Sequence, residues 1–171
     1  MKSIILSTIG LLASQLLLAQ GDGKNALATV LVKHWETSKD LSLEVANAMP
    51  DDGYIFKATD GEMSFGAQMN HIAQADSTYC SLAFGAKPSD DKPADDTKAT
   101  AVKNLTTAFD FCIAGTKKMS DADLMKEITV RGKPSTPFTL LWGGFTHTAH
   151  HRGQAEVYLR LKSITPPAYK F

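Results

Sequence analysis

The sequence predicts an all-α protein, a single four-helix bundle, from three observations. Four stretches carry apolar residues at helical spacing, and each is about 20 to 28 residues long. Breaker-rich segments such as Pro50-Asp51-Asp52-Gly53 separate them. No stretch alternates convincingly between apolar and polar side chains, and EITVRGK, residues 127–133, could form at most a short extended piece. Four helices of this length around one core describe a four-helix bundle.

Caps and breakers set the bounds of each predicted helix. The four helices, with a short helical or irregular piece before the last one, are predicted over residues 25–49, 64–85, 97–119, 120–128 and 136–164. Ser64 opens the second helix as a favourable N-cap, because its hydroxyl can accept a hydrogen bond from a free backbone N–H of the first turn. Thr136 followed by Pro137 gives the same kind of start to the last helix.

The connection between the second and third helices is too long for a tight antiparallel turn. It runs from Gly85 to Asp96 and contains Pro88 and Pro93. An extended segment of about 12 residues can cross roughly 35 Å, which is the length of such a bundle. The sequence therefore favours a long crossover and parallel second and third helices.

The N-terminus has the pattern of a secretory signal peptide over residues 1–19. Lys2 precedes an uncharged, mostly apolar run that ends at Ala19, and a polar break follows. An uncleaved anchor is the competing interpretation, but the run is short for a membrane-spanning helix, which needs about 20 apolar residues. We expect cleavage near Ala19 and Gln20, export to the periplasm or the medium without a stable membrane anchor, and one mature domain over residues 20–171.

The charges of the chain are balanced. It has 171 residues, with 18 basic and 18 acidic side chains and no long run of either sign. No electrostatic footprint for nucleic acid or an anionic membrane surface is therefore visible. We expect the partner to be a small molecule.

The segment GFTHTAHHRGQAEVYLR, residues 144–160, holds three of the five histidines. His147 and His151 are four apart, so on a helix their rings project from one face and can offer two nitrogens to one ion. Such a pair also arises by chance or fills a bundle core. His150 is the rival ligand, but it is rotated by about 100° from His151, so all three cannot point at one ion. We favour His151 over His150.

A third histidine, His71, lies in MNHIAQAD on the inward side of the second helix. An inward histidine must satisfy its ring nitrogens, and binding an ion is one way to do so. With His147 and His151 it would supply three neutral imidazoles and leave one coordination position open. Three imidazoles suit zinc, nickel, iron or copper. Such a site can polarise a carbonyl or lower the pKa of a bound water or thiol.

Further side chains are expected around this site. Those expected beside the ligands or at the pocket are Gln68, Gln154, Trp142 and His34. Trp142 is interpreted as core packing first and as a pocket wall second, and His34 as a partly exposed histidine that could line the pocket mouth. Arg152 is expected to face solvent or to pair with a carboxylate. Gly153 is expected to let a neighbouring element approach closely.

The chain has two cysteines, Cys80 and Cys112. An exported protein meets an oxidising compartment, in which a disulfide can form. If the second and third helices are antiparallel, these positions are too far apart to bridge; if the helices are parallel, they stand level. A disulfide and two buried free thiols both remain open.

Three segments together resemble the DinB/YfiT-like superfamily of small metal-binding bundles over residues 25–169. They are SFGAQMNHIAQAD, HHRGQAEVYLR and ITPPAY. The resemblance implies an up-down-down-up bundle in which three histidines hold a divalent metal, by position His71, His147 and His151. Relatives include metal-dependent transferases and isomerases that use low-molecular-weight thiols such as bacillithiol or mycothiol.

Three functions are consistent with the sequence. The first, which we favour, is a metal-dependent enzyme, either a thiol S-transferase or a hydrolase. The second is a non-catalytic protein that binds a metal or a small ligand. The third is a metal-free bundle that dimerises through an apolar helix face, for which a chelator would leave the melting temperature unchanged. Each of the three functions is compatible with either a monomer or a homodimer.

Overall fold

The computed structural model describes residues 25–171, and this part of the chain is mostly helical. The α-helices are α1 (Ala26–Ala48), α2 (Phe65–Ala83), α3 (Lys98–Thr116), α4 (Asp121–Met125) and α5 (Pro137–Leu161). A 3₁₀ helix spans Asp51–Ile55, and strands β1 (Ile128–Val130) and β2 (Lys133–Ser135) form an antiparallel hairpin. The prediction of an all-α protein is confirmed. The predicted signal peptide lies outside the described residues, within which no helix is both long and apolar enough to cross a bilayer.

The two predicted N-caps form as the sequence indicates. The Ser64 hydroxyl accepts a hydrogen bond from the Ala67 N–H at 3.1 Å, and α2 begins at the next residue. The Thr136 hydroxyl accepts one from the Thr139 N–H at 3.1 Å, and Pro137 is the first residue of α5. Each cap satisfies a backbone donor that has no partner inside its helix.

One hydrophobic core holds the long helices together. Large side chains with no exposed surface come from each of them, namely Trp35, Phe65, Phe109 and Leu141. Helix α2 packs against α3 and α5, and α1 packs against the same two helices. The helix that carries His71 is therefore a direct neighbour of the helix that carries the other histidines.

Contacts between α2 and α3 advance in the same direction along both helices. Asn104 Nδ2 donates to Asn70 Oδ1 at 2.9 Å, and further along α2 Cys80 is bonded to Cys112. Residues 86–97, which connect the two helices, contain no helix or strand. In these two contacts, the later residue of α2 meets the later residue of α3.

Cys80 and Cys112 form a disulfide with a Cα–Cα distance of 5.5 Å. Both side chains are completely buried between α2 and α3. Of the two possibilities left open by the sequence, the structure has the disulfide.

Buried polar side chains link α5 to α2 on one side and to α1 on the other. Thr148 Oγ1 donates to Asp76 Oδ1 at 2.8 Å, which joins α5 to α2. Arg152 Nη1 donates to Ser38 Oγ at 3.0 Å and to Ser42 Oγ at 3.3 Å, which joins α5 to α1. All five side chains are buried. These hydrogen bonds fix the rotation of α5 between its two neighbours, because a buried polar group that loses its partner is costly.

The expectations for Arg152 and Gly153 are wrong. Arg152 is only 4% exposed, and its guanidinium is hydrogen-bonded to serine hydroxyls rather than free in solvent or paired with a carboxylate. Gly153 is exposed, and a Cβ placed there would meet no atom of the described chain within 4 Å. The close approach occurs at Gly144 instead, where a Cβ would lie 3.1 Å from Tyr79 Cβ and 3.2 Å from the indole of Trp35.

We expect Asp76 to make the protein less stable as pH rises. Burial raises the pKa of Asp76 well above its ordinary 3.8, against the opposing effects of the Thr148 hydrogen bond and the positive Arg152. Because the pKa is higher in the folded state, the folded protein binds more protons than the unfolded chain, and stability is lost as pH rises above about 4. Asp76→Asn should therefore show a smaller fall in the free energy of unfolding between about pH 4 and pH 7 than the wild type. Urea titrations across this range measure it, and equal pH dependence of the two proteins would contradict it.

Candidate metal centre

His71 from α2 meets His147 and His151 from α5. Each offers one ring nitrogen, and the three nitrogens lie within 4.8 Å of one another. His71 Nε2 is 3.2 Å from His147 Nε2, and the His151 ring centre is 4.4 Å from the centre of each of the other two rings. All three side chains are half-buried. The histidines are thus placed so that they could bind a metal.

The spacing of these nitrogens fits a small divalent ion. Imidazole nitrogens 2.0–2.1 Å from a tetrahedral zinc are about 3.3–3.4 Å apart. The His71–His147 distance of 3.2 Å is already close to this value. The remaining separations, at most 4.8 Å, exceed it by no more than about 1.5 Å, which ring rotations can close. The donor set is also suitable, because imidazole binds zinc, nickel and iron well.

Gln68 fixes the orientation of His151. The Gln68 side chain has no exposed surface, and its Oε1 lies 2.8 Å from His151 Nδ1. An amide oxygen can only accept, so Nδ1 donates the proton and Nε2 keeps its lone pair for a ligand. Gln68 Nε2 in turn donates to Gln154 Oε1 at 3.0 Å. Both predicted glutamines therefore lie directly behind the histidines, where metal-binding histidines usually have such partners.

The other two histidines of α5, His147 and His150, lack such a buried acceptor. His147 Nδ1 is buried and has no hydrogen-bond partner among residues 25–171. His150 is exposed, and its Nε2 lies 3.2 Å from Gln154 Nε2. The rotation that separates His150 from His151 on the helix thus directs His150 to the outer face of α5.

The three imidazoles are held in the neutral form. Burial lowers the pKa of His71, and burial followed by the charges of His71 and His150 lowers the pKa of His147. For His151, burial and then the neighbouring histidines lower the pKa to about 4. Only a neutral imidazole has a lone pair for a metal, so all three side chains are ready to bind an ion at neutral pH.

Tyr79 of α2 lies next to the histidine cluster and lines the cavity beside it. Its ring centre lies 6.1 Å from that of His147, and the ring packs against Gly143 and Gly144 of α5. A cavity of about 410 Å³ opens beside Tyr79 and includes His71 in its wall. His71 is therefore accessible from this side.

Trp142 and His34 both pack against aromatic side chains. The interpretation of Trp142 as core packing is wrong, because the residue is 46% exposed; its ring contacts Phe138 and Phe145. His34 Nδ1 donates to the Val30 carbonyl at 2.9 Å, and its ring packs on Phe145 and on Phe171 of the C-terminal tail. Their partners are aromatic side chains rather than the three histidines.

Of the residues in the cavity wall, only His71 is proposed for the site from the sequence, and Tyr79 and Arg131 are not. Tyr79 is eight positions after His71, a rotation of about 80° on the helix, so it lies to one side of the face that carries His71 and the helical repeat does not single it out. Arg131 reaches the cavity from the β-hairpin, for which the sequence gave only the weak pattern of residues 127–133.

Gln68→Met is expected to weaken zinc binding by about 10- to 100-fold, because it removes the acceptor that orients His151 while keeping the length of the side chain. Calorimetric titration of the metal-free protein with Zn²⁺ measures the change. Gln74→Met is the matched control, because Gln74 is an exposed glutamine of the same helix. Equal affinity of the Gln68 and Gln74 variants would show that the hydrogen bond to His151 does not orient the ligand.

Comparisons with known proteins agree with this architecture. A DinB-like protein from Bacillus subtilis is similar in structure with a TM-score of 0.72 and 21% sequence identity, covering 82% of this chain and 98% of that chain. A DinB-like protein from Bacillus cereus has a TM-score of 0.71 and 19% identity, covering 82% of this chain and 95% of that chain. No curated protein gives a significant match. A family model described as the DinB family matches residues 23–171, and the chain therefore belongs to the DinB family.

Proposed function

We propose that the protein binds one divalent metal ion through His71, His147 and His151 and is a metal-dependent enzyme, of the thiol S-transferase or hydrolase type. The observation that carries the proposal is the 3.2 Å approach of His71 Nε2 to His147 Nε2. Two neutral imidazoles from different helices are held there at the spacing of two ligands of one ion. A bound divalent ion would polarise a carbonyl or lower the pKa of a thiol or water.

The surrounding residues have separable roles in this proposal. Gln68 holds His151 with its Nε2 lone pair free, and Thr148 with Asp76 holds α5 at a fixed height against α2. Tyr79 lines the cavity beside His71 and carries a hydroxyl that can donate or accept a hydrogen bond to a substrate.

The proposed bundle topology is up-down-down-up. Three sets of contacts support it. Glu36 and Lys39 of α1 pair with Lys117 and Asp110 of α3, which is an antiparallel order. Contacts of α2 with α3 advance in one direction, and Asp76 meets Thr148 while Gln68 meets His151, so α2 and α5 are antiparallel. In this arrangement the centre of α2 faces the centre of α5.

Export and a small-molecule substrate are further parts of the proposal. The Cys80–Cys112 disulfide supports export, because such bonds persist in oxidising compartments. A low-molecular-weight thiol or an ester suits a cavity of about 410 Å³ beside the histidines. The three proposed ligands belong to one chain, so the site does not require a homodimer.

The test is a substrate screen on protein loaded separately with Zn²⁺, Ni²⁺ and Fe²⁺. Transfer of small thiols to electrophiles and hydrolysis of simple esters are followed, with metal-free protein and His71→Ala beside the wild type. Turnover that needs the metal and disappears in His71→Ala would support the proposal and select the ion. Tight metal binding without turnover would instead favour a non-catalytic metal or small-ligand binding protein. Absence of metal binding would favour a structural bundle.

A further inference from the structure

We propose that Arg131 binds the carboxylate group of a substrate whose other end reaches the three histidines. This inference rests on the proposed function, because it assigns a substrate class to the same site. It extends that function from small molecules in general to small carboxylic acids, with a thiol or another metal-binding group at the opposite end.

The cavity beside His71 could hold such a molecule, because both His71 and Arg131 line it. Its volume is about 410 Å³, which is enough for a compact organic acid. His71 and Tyr79 of α2 form one part of its wall, and Val130 and Arg131 of the hairpin form another. A ligand in the cavity thus lies between the histidine cluster and the tip of the hairpin.

The charge of the cavity wall selects an anion. Among the described residues that line it, Arg131 is the one whose side chain carries a permanent charge. The other polar side chains are Gln74, Thr78 and Tyr79, which are uncharged hydrogen-bonding groups. A single guanidinium balances one carboxylate and can bind it with two parallel hydrogen bonds, whereas a phosphate dianion would keep an uncompensated charge.

The backbone of Arg131 provides an independent reason to assign it a role. Val130 pairs with Lys133 across the hairpin, so Arg131 and Gly132 form a two-residue turn, with φ angles of +50° and +78°. Asparagine and glycine favour such a turn, and an arginine in the left-handed region is strained. Strain of this kind is concentrated at functional sites, where the side chain is needed in one place. The turn thus carries arginine at a position where asparagine would be more stable.

The experiment measures thiol binding to the Co²⁺-loaded full chain by the sulfur-to-cobalt charge-transfer band. The probes are 3-mercaptopropionate and its uncharged analogue 3-mercapto-1-propanol. We expect the wild type to bind the acid about tenfold more tightly than the alcohol, which is the size of one charge-assisted contact. Arg131→Asn should remove this preference without weakening binding of the alcohol, and Arg131→Lys should keep part of it.

Stability and a matched charge change serve as controls. Arg131→Asn should leave the melting temperature unchanged or raise it, because asparagine suits the turn. Lys133→Asn removes a positive charge from the same exposed hairpin, outside the cavity wall, and should leave the preference for the acid intact.

The outcomes separate this inference from the function on which it rests. Equal binding of the two probes by wild type, or loss of the preference in Lys133→Asn as much as in Arg131→Asn, would overturn the role of Arg131 while the metal site stands. Failure of the wild type to take up Co²⁺ would overturn the proposed function and this inference with it.

Discussion

His147→Ala is expected to reduce the affinity for Zn²⁺ by more than about 100-fold, because loss of a direct ligand should exceed the 10- to 100-fold cost of losing an orienting residue. His147 contributes the nitrogen that already lies 3.2 Å from His71 Nε2. Its removal leaves two imidazoles, and two protein ligands bind a tetrahedral ion more weakly than three because water must take the vacated position. Competition titration of the metal-free protein against a chelator of known affinity measures the change, and His71→Ala and His151→Ala should behave in the same way.

His150→Ala is the matched control for these substitutions. His150 belongs to the same run of sequence but is exposed on the outer face of α5. The variant should bind Zn²⁺ as the wild type does, or nearly so. If His150→Ala lost the metal while His151→Ala kept it, His150 rather than His151 would be the ligand, and the proposed metal site would be wrong.

Replacement of both cysteines, Cys80→Ala with Cys112→Ala, is expected to lower the free energy of unfolding by about 3–4 kcal/mol. The disulfide closes a loop between cysteines 32 positions apart, and a cross-link of this span removes conformational entropy from the unfolded chain. Because both sulfur atoms are buried, the lost packing adds to the effect. Guanidinium unfolding monitored by circular dichroism measures the change.

Reduction provides a second measurement of the same bond. Unfolding of the wild type in excess reductant should show a loss of similar size, and the double variant should be insensitive to reductant. Equal stability of the oxidised wild type and the double variant would mean that the unfolded chain gains little freedom when the cross-link is absent.

Local signals in the sequence were sufficient to predict most of the fold. The hydroxyls of Ser64 and Thr136 mark helix starts, and both caps form. The length of residues 85–96 excludes a tight turn and favours parallel second and third helices, which is part of the proposed topology. The β-hairpin was harder to predict, because three-residue strands contain too little alternation to identify.

The histidine cluster could be predicted because helical rotation is a local property. The spacing of His147 and His151 places both rings on one face, and rotation alone excludes His150 from it. The position of Arg152 could not be predicted in this way. Helix α5 packs against both α1 and α2. The serines that accept hydrogen bonds from Arg152 are on α1, more than a hundred positions earlier in the chain. Rotation indicates where a side chain points but not which partner it meets.

The position of Arg131 in the cavity wall also depends on tertiary structure and could not be predicted from local sequence. The dipeptide Arg131-Gly132 indicates at most a turn, and nothing local places its tip beside a histidine of another element. Arg131 and His71 line one cavity only when the folded chain brings the hairpin and α2 to the same place.

The most direct test of the central claim is anomalous diffraction from crystals of the full chain, purified without a nickel column and grown with Zn²⁺. Data collected on both sides of the zinc absorption edge locate the ion independently of the protein phases. We expect one strong peak, about 2.0–2.1 Å from one nitrogen each of His71, His147 and His151. A peak on His150, or no peak within bonding distance of the three histidines at saturating Zn²⁺, would contradict the metal site and the function proposed from it.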